Sequence, residues 1–131
     1  MQKIIFKPQT EWLPPEEFPD LSNHSEISID LETKDPELTK MGSGAIIGKG
    51  EVVGIAVAVE GWCGYYPIAH GGGGNMDKSM VLKWFQDVLN TNASKIFHNA
   101  MYDVCWIRAM GLKINGTIID TMIASALCDE N

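Results

Sequence analysis

No stretch of this chain is apolar for long enough to cross a bilayer. The longest candidate runs only from Val52 to Val59 and is broken by Gly54, whereas a spanning helix needs about 20 residues. No basic segment leads into an apolar run at the N-terminus, so no signal peptide is read. Cysteine is scarce: Cys63, Cys105 and Cys128 are odd in number and form no CxxC pair. That argues against a disulfide framework or a zinc ribbon and points to reduced thiols in a cytosolic protein. Basic residues are also few, 10 Lys and Arg against 17 Asp and Glu for a net charge of −7. No basic stripe exists to hold duplex DNA through counterion release. Any contact with nucleic acid is expected to be local and metal-mediated, at a strand end. What remains is ordinary: 131 residues, 45% of them apolar and 21% charged, enough for one soluble domain with its own core.

The chain divides by composition. Residues 1–24 carry Pro8, Pro14, Pro15 and Pro19 among Glu11, Glu16, Glu17 and Asp20, and read as an extended arm that Trp12 and Phe18 pin to the domain surface. Residues 25–131 read as the domain. Within it Glu26 to Leu31 is a strand, ended by Asp35-Pro36, and residues 41–44 continue a loop. Glu51 to Val59 and Trp62 to Ala69 form a hairpin about Glu60-Gly61. Asp77 caps a helix in which Met80, Val81, Leu82, Phe85, Val88 and Leu89 recur at helical spacing. Lys95 to Phe97 is a short strand, Asn99 to Met110 a helix closed by Gly111, Ile114 to Ile119 a strand, and Thr121 to Cys128 a helix capped by Asp120. Three strands followed by alternating helix and strand describe an α/β sheet with one antiparallel member.

Two short motifs carry chemistry. In Asp30-Leu31-Glu32 the period of two sends both carboxylates to one face of the strand and Leu31 to the other. In Asn99-Ala100-Met101-Tyr102-Asp103 the helical repeat puts Asn99 and Asp103 on one face. Each motif alone is common on solvated surfaces, and Asn99 is a good N-cap in its own right. Together they place Asp30, Glu32 and Asp103 around one cleft, a hard oxygen site suited to Mg²⁺ or Mn²⁺ and so to phosphodiester hydrolysis. Other candidates read as structural. His98 is expected to be a partly buried structural imidazole, and His24 and His70 have no ligand spacing to the carboxylates. Gly71 to Gly74 are not directly followed by Lys-Ser or Lys-Thr, so the P-loop pattern fails.

Asp30-Leu31-Glu32-Thr33, the hairpin ending Tyr65-Tyr66-Pro67-Ile68-Ala69-His70, His98-Asn99-Ala100-Met101-Tyr102-Asp103 and Ile119-Asp120-Thr121-Met122 resemble the 3′–5′ exonuclease domain of family A DNA polymerases. That domain belongs to the DEDD superfamily, on a ribonuclease H-like fold. The resemblance implies a mixed α/β sheet with flanking helices, C-terminally incomplete here, and a proofreading activity on the 3′ end of single-stranded DNA. It implies two divalent cations, Mg²⁺ or Mn²⁺, with Asp30 bridging both, Glu32 on the ion that activates water and Asp103 on the other. Asn99 and Thr33 are implied as substrate contacts, and Leu38 as a side chain packing against the terminal bases. A polymerase domain in the parent chain is the implied partner, in the cytoplasm of a bacterial or phage-infected cell. The family's third motif, a Tyr or His four positions before a last Asp, has no match in this sequence, so the chain is expected to be weak or inactive alone. Alternatives are an RNA-trimming exonuclease of the same superfamily and a non-enzymatic nucleic-acid-binding module with a relic site.

Overall fold

The computed structural model describes Pro15 and residues 17–123. Trp12, most of the N-terminal arm and most of the helix expected over Thr121–Cys128 lie outside the described residues.

Strand β1 (Glu26–Lys34) buries Ile27, Ile29 and Leu31 and exposes Ser28, Asp30 and Glu32, the alternation of a strand with one covered face. It continues past Leu31, so the Asp-Leu-Glu motif sits inside the strand rather than at its end. β2 (Glu51–Val59) and β3 (Trp62–Pro67) form the expected hairpin, with Val59 paired to Trp62 across Glu60-Gly61. β4 (Ser94–Phe97) and β5 (Ile118–Asp120) complete a sheet of five strands in the order β3-β2-β1-β4-β5. β2 runs antiparallel to both neighbours, while β4 is parallel to β1 and to β5. The last strand is shorter than the sequence suggests. Gly116 sits at φ +84°, outside the extended region, and Asn115 is held by hydrogen bonds from its side chain to the carbonyls of Asn90 and Thr91.

Two short helices, α1 (Leu38–Met41) and α2 (Gly44–Ile47), occupy what reads as loop. Segments of this length have little helical preference of their own. Here Asp35 supplies the missing stability, its carboxylate accepting the Gly44 N–H at 3.0 and 3.1 Å. α3 (Lys78–Asn90) is capped by Asp77, which accepts the Met80 N–H at 3.1 Å. It buries Val81, Trp84, Phe85, Val88 and Leu89, whereas Met80 is 57% exposed; Trp84 takes the place in the core that the periodicity gave to Met80. α4 (Ala100–Ala109) buries Ala100, Asp103, Trp106 and Ile107.

α3 and α4 share a single core with Ile27, Ile29, Leu31, Ile55, Val57, Tyr66 and Phe97 of the sheet. The described part of the arm joins it. Phe18 stacks on Tyr66 with ring centroids 5.5 Å apart, the Tyr66 hydroxyl donates to the Glu17 carbonyl at 2.8 Å, and Trp84 Nε1 donates to Pro19 O at 2.8 Å. The opposite sheet face carries small or polar residues, Ser28, Asp30, Ala56, Ala58, Cys63 and Tyr65, which line an open groove of about 690 Å³ with Ile96, His98 and Thr121. The carboxylates of β1 therefore look out on solvent from a rigid sheet.

Candidate active site

The sheet is split where the site lies. β4 pairs with β1 only as far as Ser28, opposite Ile96, and the start of α4 enters beside β1 beyond that point. The Leu31 N–H donates to Asp103 Oδ2 at 3.4 Å, a long bond that ties the helix to the strand between Asp30 and Glu32. Asp103 is 4% exposed. Burial raises its carboxyl to about 6, with a further push from the Asp30 charge and only a partial offset from the Leu31 N–H. A carboxylate so placed gains stability from any positive charge brought between it and Asp30.

The start of α4 is built differently from its sequence. Asn99 occupies the N-cap position but sits at φ 62°, ψ 64°, and its side chain makes no capping hydrogen bond. The capping is done from β5, where Asp120 accepts the N–H groups of Asn99 at 3.1 Å and Ala100 at 3.0 Å. Asp120 also accepts the Met122 N–H at 3.0 Å, the local cap its position suggests. Partial burial pushes the Asp120 carboxyl up, but the backbone N–H groups of Ala100, Met122, Asn99 and Ile123 outweigh it and hold it below the usual range. Freed from capping, Asn99 is exposed beside the carboxylates in a left-handed conformation that costs a non-glycine residue of order 1 kcal/mol or more. His98, at the end of β4, is exposed rather than partly buried, with Nδ1 3.0 Å from Thr121 Oγ1.

Glu32 and Thr33 are separated by a break in register with β2. Glu32 Oε2 accepts the Tyr65 hydroxyl at 2.6 Å, and that hydroxyl lies 2.5 Å from His70 Nε2. Desolvation, the hydrogen bond to Glu32 and the charges of Glu32 and Asp30 all push the Tyr65 hydroxyl upward, so it is a proton donor at neutral pH. The Thr33 hydroxyl meets the Tyr102 hydroxyl at 2.7 Å, and Tyr102 donates to Asp35 at 2.8 Å, a second link from β1 to α4. Leu38 lies on α1, 43% exposed.

The structure thus brings Asp30, Glu32 and Asp103 to one end of the sheet, with Asn99 and Thr33 on the elements that carry them. Among the described residues no three His, Cys, Asp or Glu side chains are gathered tightly enough to grip an ion unaided. The donors still suit Mg²⁺ or Mn²⁺: all are carboxylate oxygens, two exposed on a rigid strand and one buried with its charge uncompensated. Sequence spacing gave no hint of the Tyr65–His70 pair, which lies 33 and 38 positions beyond Glu32 in the chain. The readable signal was Gly54 inside an otherwise apolar strand, since an interior strand glycine marks a close approach by something else.

A family model described as 3′-5′ exonuclease matches residues 7–131. The chain belongs to this family, the 3′–5′ exonuclease domains of family A DNA polymerases, and its mixed five-stranded sheet with flanking helices is of the ribonuclease H-like kind. A curated relative is the DNA-directed DNA polymerase of Pseudomonas phage M6, 32% identical over 111 residues; the match covers 79% of this chain and 16% of that polymerase. The chain therefore spans a small part of the relative's length. No described helix is long and apolar enough to cross a membrane.

Proposed function

We propose that this chain is the proofreading domain of a DNA polymerase, hydrolysing the terminal phosphodiester at the 3′ end of single-stranded DNA with two divalent cations. The observation that carries the reading is Asp103, a buried carboxylate held beside Leu31 between two exposed carboxylates and destabilised by the Asp30 charge. Asp30, Glu32 and Asp103 would hold Mg²⁺ or Mn²⁺. When bound, such ions lower the pKa of water and stabilise the charge of an in-line phosphoryl displacement. Asp30 and Glu32 present their oxygens from one face of β1, while Asp103 approaches from α4. Asn99, exposed at the start of α4, and Thr33, near the end of β1, would orient the terminal nucleotide. Leu38, exposed on α1, offers an apolar surface to the terminal bases. A polymerase domain in the parent chain would deliver the strand end, in the cytoplasm of a bacterial or phage-infected cell.

We expect hydrolysis with Asp30, Glu32 and Asp103 as the only carboxylates at the site to be slow. Groups that act as a unit lose activity together rather than additively. The test is nucleotide release from 3′-labelled single-stranded DNA with Mn²⁺, compared with the Asp30→Ala variant and with an RNA of the same sequence. Release that depends on Asp30 and prefers DNA supports the reading, whereas preference for RNA makes the protein an RNA-trimming enzyme. Absence of both Mn²⁺ binding and release supports a non-catalytic module.

A further inference from the structure

We infer that Tyr65 and His70, admitted by the bare face of Gly54, are positioning residues that orient Glu32 for cation binding. The inference rests on the reading of Glu32 as a cation ligand.

Tyr65 stands opposite Ala56, which stands opposite Asp30; Glu32 stands opposite Gly54. To reach Glu32 the tyrosine must lean diagonally across all of β2, from one outer strand to a strand about 9.5 Å away at ordinary strand spacing. It crosses over Gly54. A Cβ built at that position would fall deep inside the Tyr65 hydroxyl and its ring edge, so any residue other than glycine would close the route. Gly54 lies at the centre of β2, buried, with no positive φ to explain it. Its place in the strand is explained by the side chain that lies over it.

The hydroxyl carries one proton. Donated to Glu32 Oε2 at 2.6 Å, it leaves the oxygen to accept from His70 Nε2 at 2.5 Å, which fixes the Nε2–H tautomer. His70 is itself braced: Asn75 Oδ1 accepts the His70 N–H at 2.7 Å and Asn75 Nδ2 donates to the His70 carbonyl at 2.9 Å. These two bonds clamp the ends of the glycine loop between them. The chain of contacts Asn75–His70–Tyr65 thus ends on one oxygen of an exposed, otherwise mobile carboxylate and leaves Glu32 Oε1 for an ion. Partners of this kind set the orientation and basicity of a ligating carboxylate, and losing one typically costs 10- to 100-fold in metal affinity.

The test is Mn²⁺ titration by calorimetry of the wild-type chain and of Tyr65→Phe, Gly54→Ala and Glu32→Gln, with the urea midpoint of each measured in the absence of metal. Tyr65→Phe keeps the ring and removes only the hydroxyl. Gly54→Ala displaces the tyrosine by a different route, since the atoms it strikes belong to a side chain that can swing away. We expect both to weaken Mn²⁺ binding 10-fold or more at midpoints close to wild type, and Tyr65→Phe combined with Gly54→Ala to be no worse than either alone. Wild-type affinity in Tyr65→Phe, with binding lost in Glu32→Gln, overturns the inference and leaves the cation site standing. Tighter binding in Tyr65→Phe overturns it as well, because the tyrosine would then be holding Glu32 away from the ion. Unchanged binding in Glu32→Gln removes both the inference and the reading beneath it.

Discussion

Replacing Asp103 by Asn should stabilise the metal-free chain, and by an amount that depends on pH. Asp103 is 4% exposed, accepts a single long hydrogen bond from Leu31 at 3.4 Å and faces the Asp30 charge. Its carboxyl is raised from 3.8 to about 6 in the fold. A raised carboxyl means that the native state binds the proton more tightly than the unfolded state does. The favourable contribution of that proton is complete below about pH 4 and is lost as pH rises through about 6. At 1.36 kcal/mol per pH unit, the rise from 3.8 to about 6 corresponds to about 3 kcal/mol of destabilisation at neutral pH. The asparagine keeps the acceptor for Leu31 and removes the charge, but its amide hydrogens need a partner, so a gain of about 1–2 kcal/mol is expected at pH 8. Urea unfolding of both proteins between pH 4 and pH 8, without metal, reads it. The difference should be near zero or unfavourable at pH 4, grow between pH 4 and 6.5, and then level off. A difference that does not vary with pH would refute the claim that an uncompensated buried charge is the source. Mn²⁺ supplies a second arm. At 100 times its dissociation constant an ion stabilises its site by about 2.7 kcal/mol, and this should appear in the wild type and not in Asp103→Asn.

Three further outcomes follow from the same geometry. Asp30→Ala is expected to abolish the heat of Mn²⁺ titration, and unchanged heat would remove Asp30 from the site. Lys95, fully buried, donates from Nζ to the carbonyls of Thr91 and Asn115; Lys95→Met removes the donor from Asn115 and leaves Thr91 only the long 3.4 Å bond from Asn115 Nδ2, and should cost about 2–3 kcal/mol in urea unfolding, a loss below 1 kcal/mol showing that water replaces the ammonium. Asp120→Asn should lower the thermal midpoint at neutral pH, with a loss that begins to shrink below about pH 4 and fades as pH falls through the lowered folded value, because a carboxylate held below its usual range contributes only when ionised; a loss that does not shrink at all on acidification would mean that size rather than charge caps α4.

What could be read from the sequence was what depends on local repetition. The alternation Ile27-Ser28-Ile29-Asp30-Leu31-Glu32 gives the strand, its buried face and the direction of two carboxylates. The hairpin was legible because Glu60-Gly61 separates two β-rich runs, and its first strand has the expected bounds. Features held by distant partners were not legible. α2 exists because Asp35 reaches Gly44, and α4 begins where it does because Asp120 reaches back across the β4–β5 pair to Asn99 and Ala100. A sequence shows Asn99 as a good cap, yet the cap is supplied from elsewhere and Asn99 is left exposed in a strained conformation. The place of His70 is likewise set by distant partners: its Nε2 lies 2.5 Å from the Tyr65 hydroxyl that donates to Glu32, and 3.8 Å from Glu32 Oε2 itself.

The same split explains why the site sits where it does. A parallel strand pair kept in register to the end would satisfy the Leu31 N–H with a β4 carbonyl and leave no room for a helix. β4 instead leaves β1 after Ser28, and the strand's unpaired edge is filled by the first turn of α4, whose buried carboxylate takes the N–H. The bond is long and burial makes the carboxylate costly to ionise, so this junction is a weaker solution than a continued ladder. Strain that is not relieved within the protein accumulates where a ligand can relieve it. Three such features lie together: the long bond that closes the strand edge at Leu31, the raised carboxyl of Asp103 and the left-handed Asn99. Each lowers the stability of the metal-free fold, and on the function proposed above each would be offset by the positive charge and the nucleotide that fill the cleft. On this reasoning Asp103, proposed above as a cation ligand, is also the residue whose neutral replacement makes the metal-free fold more stable.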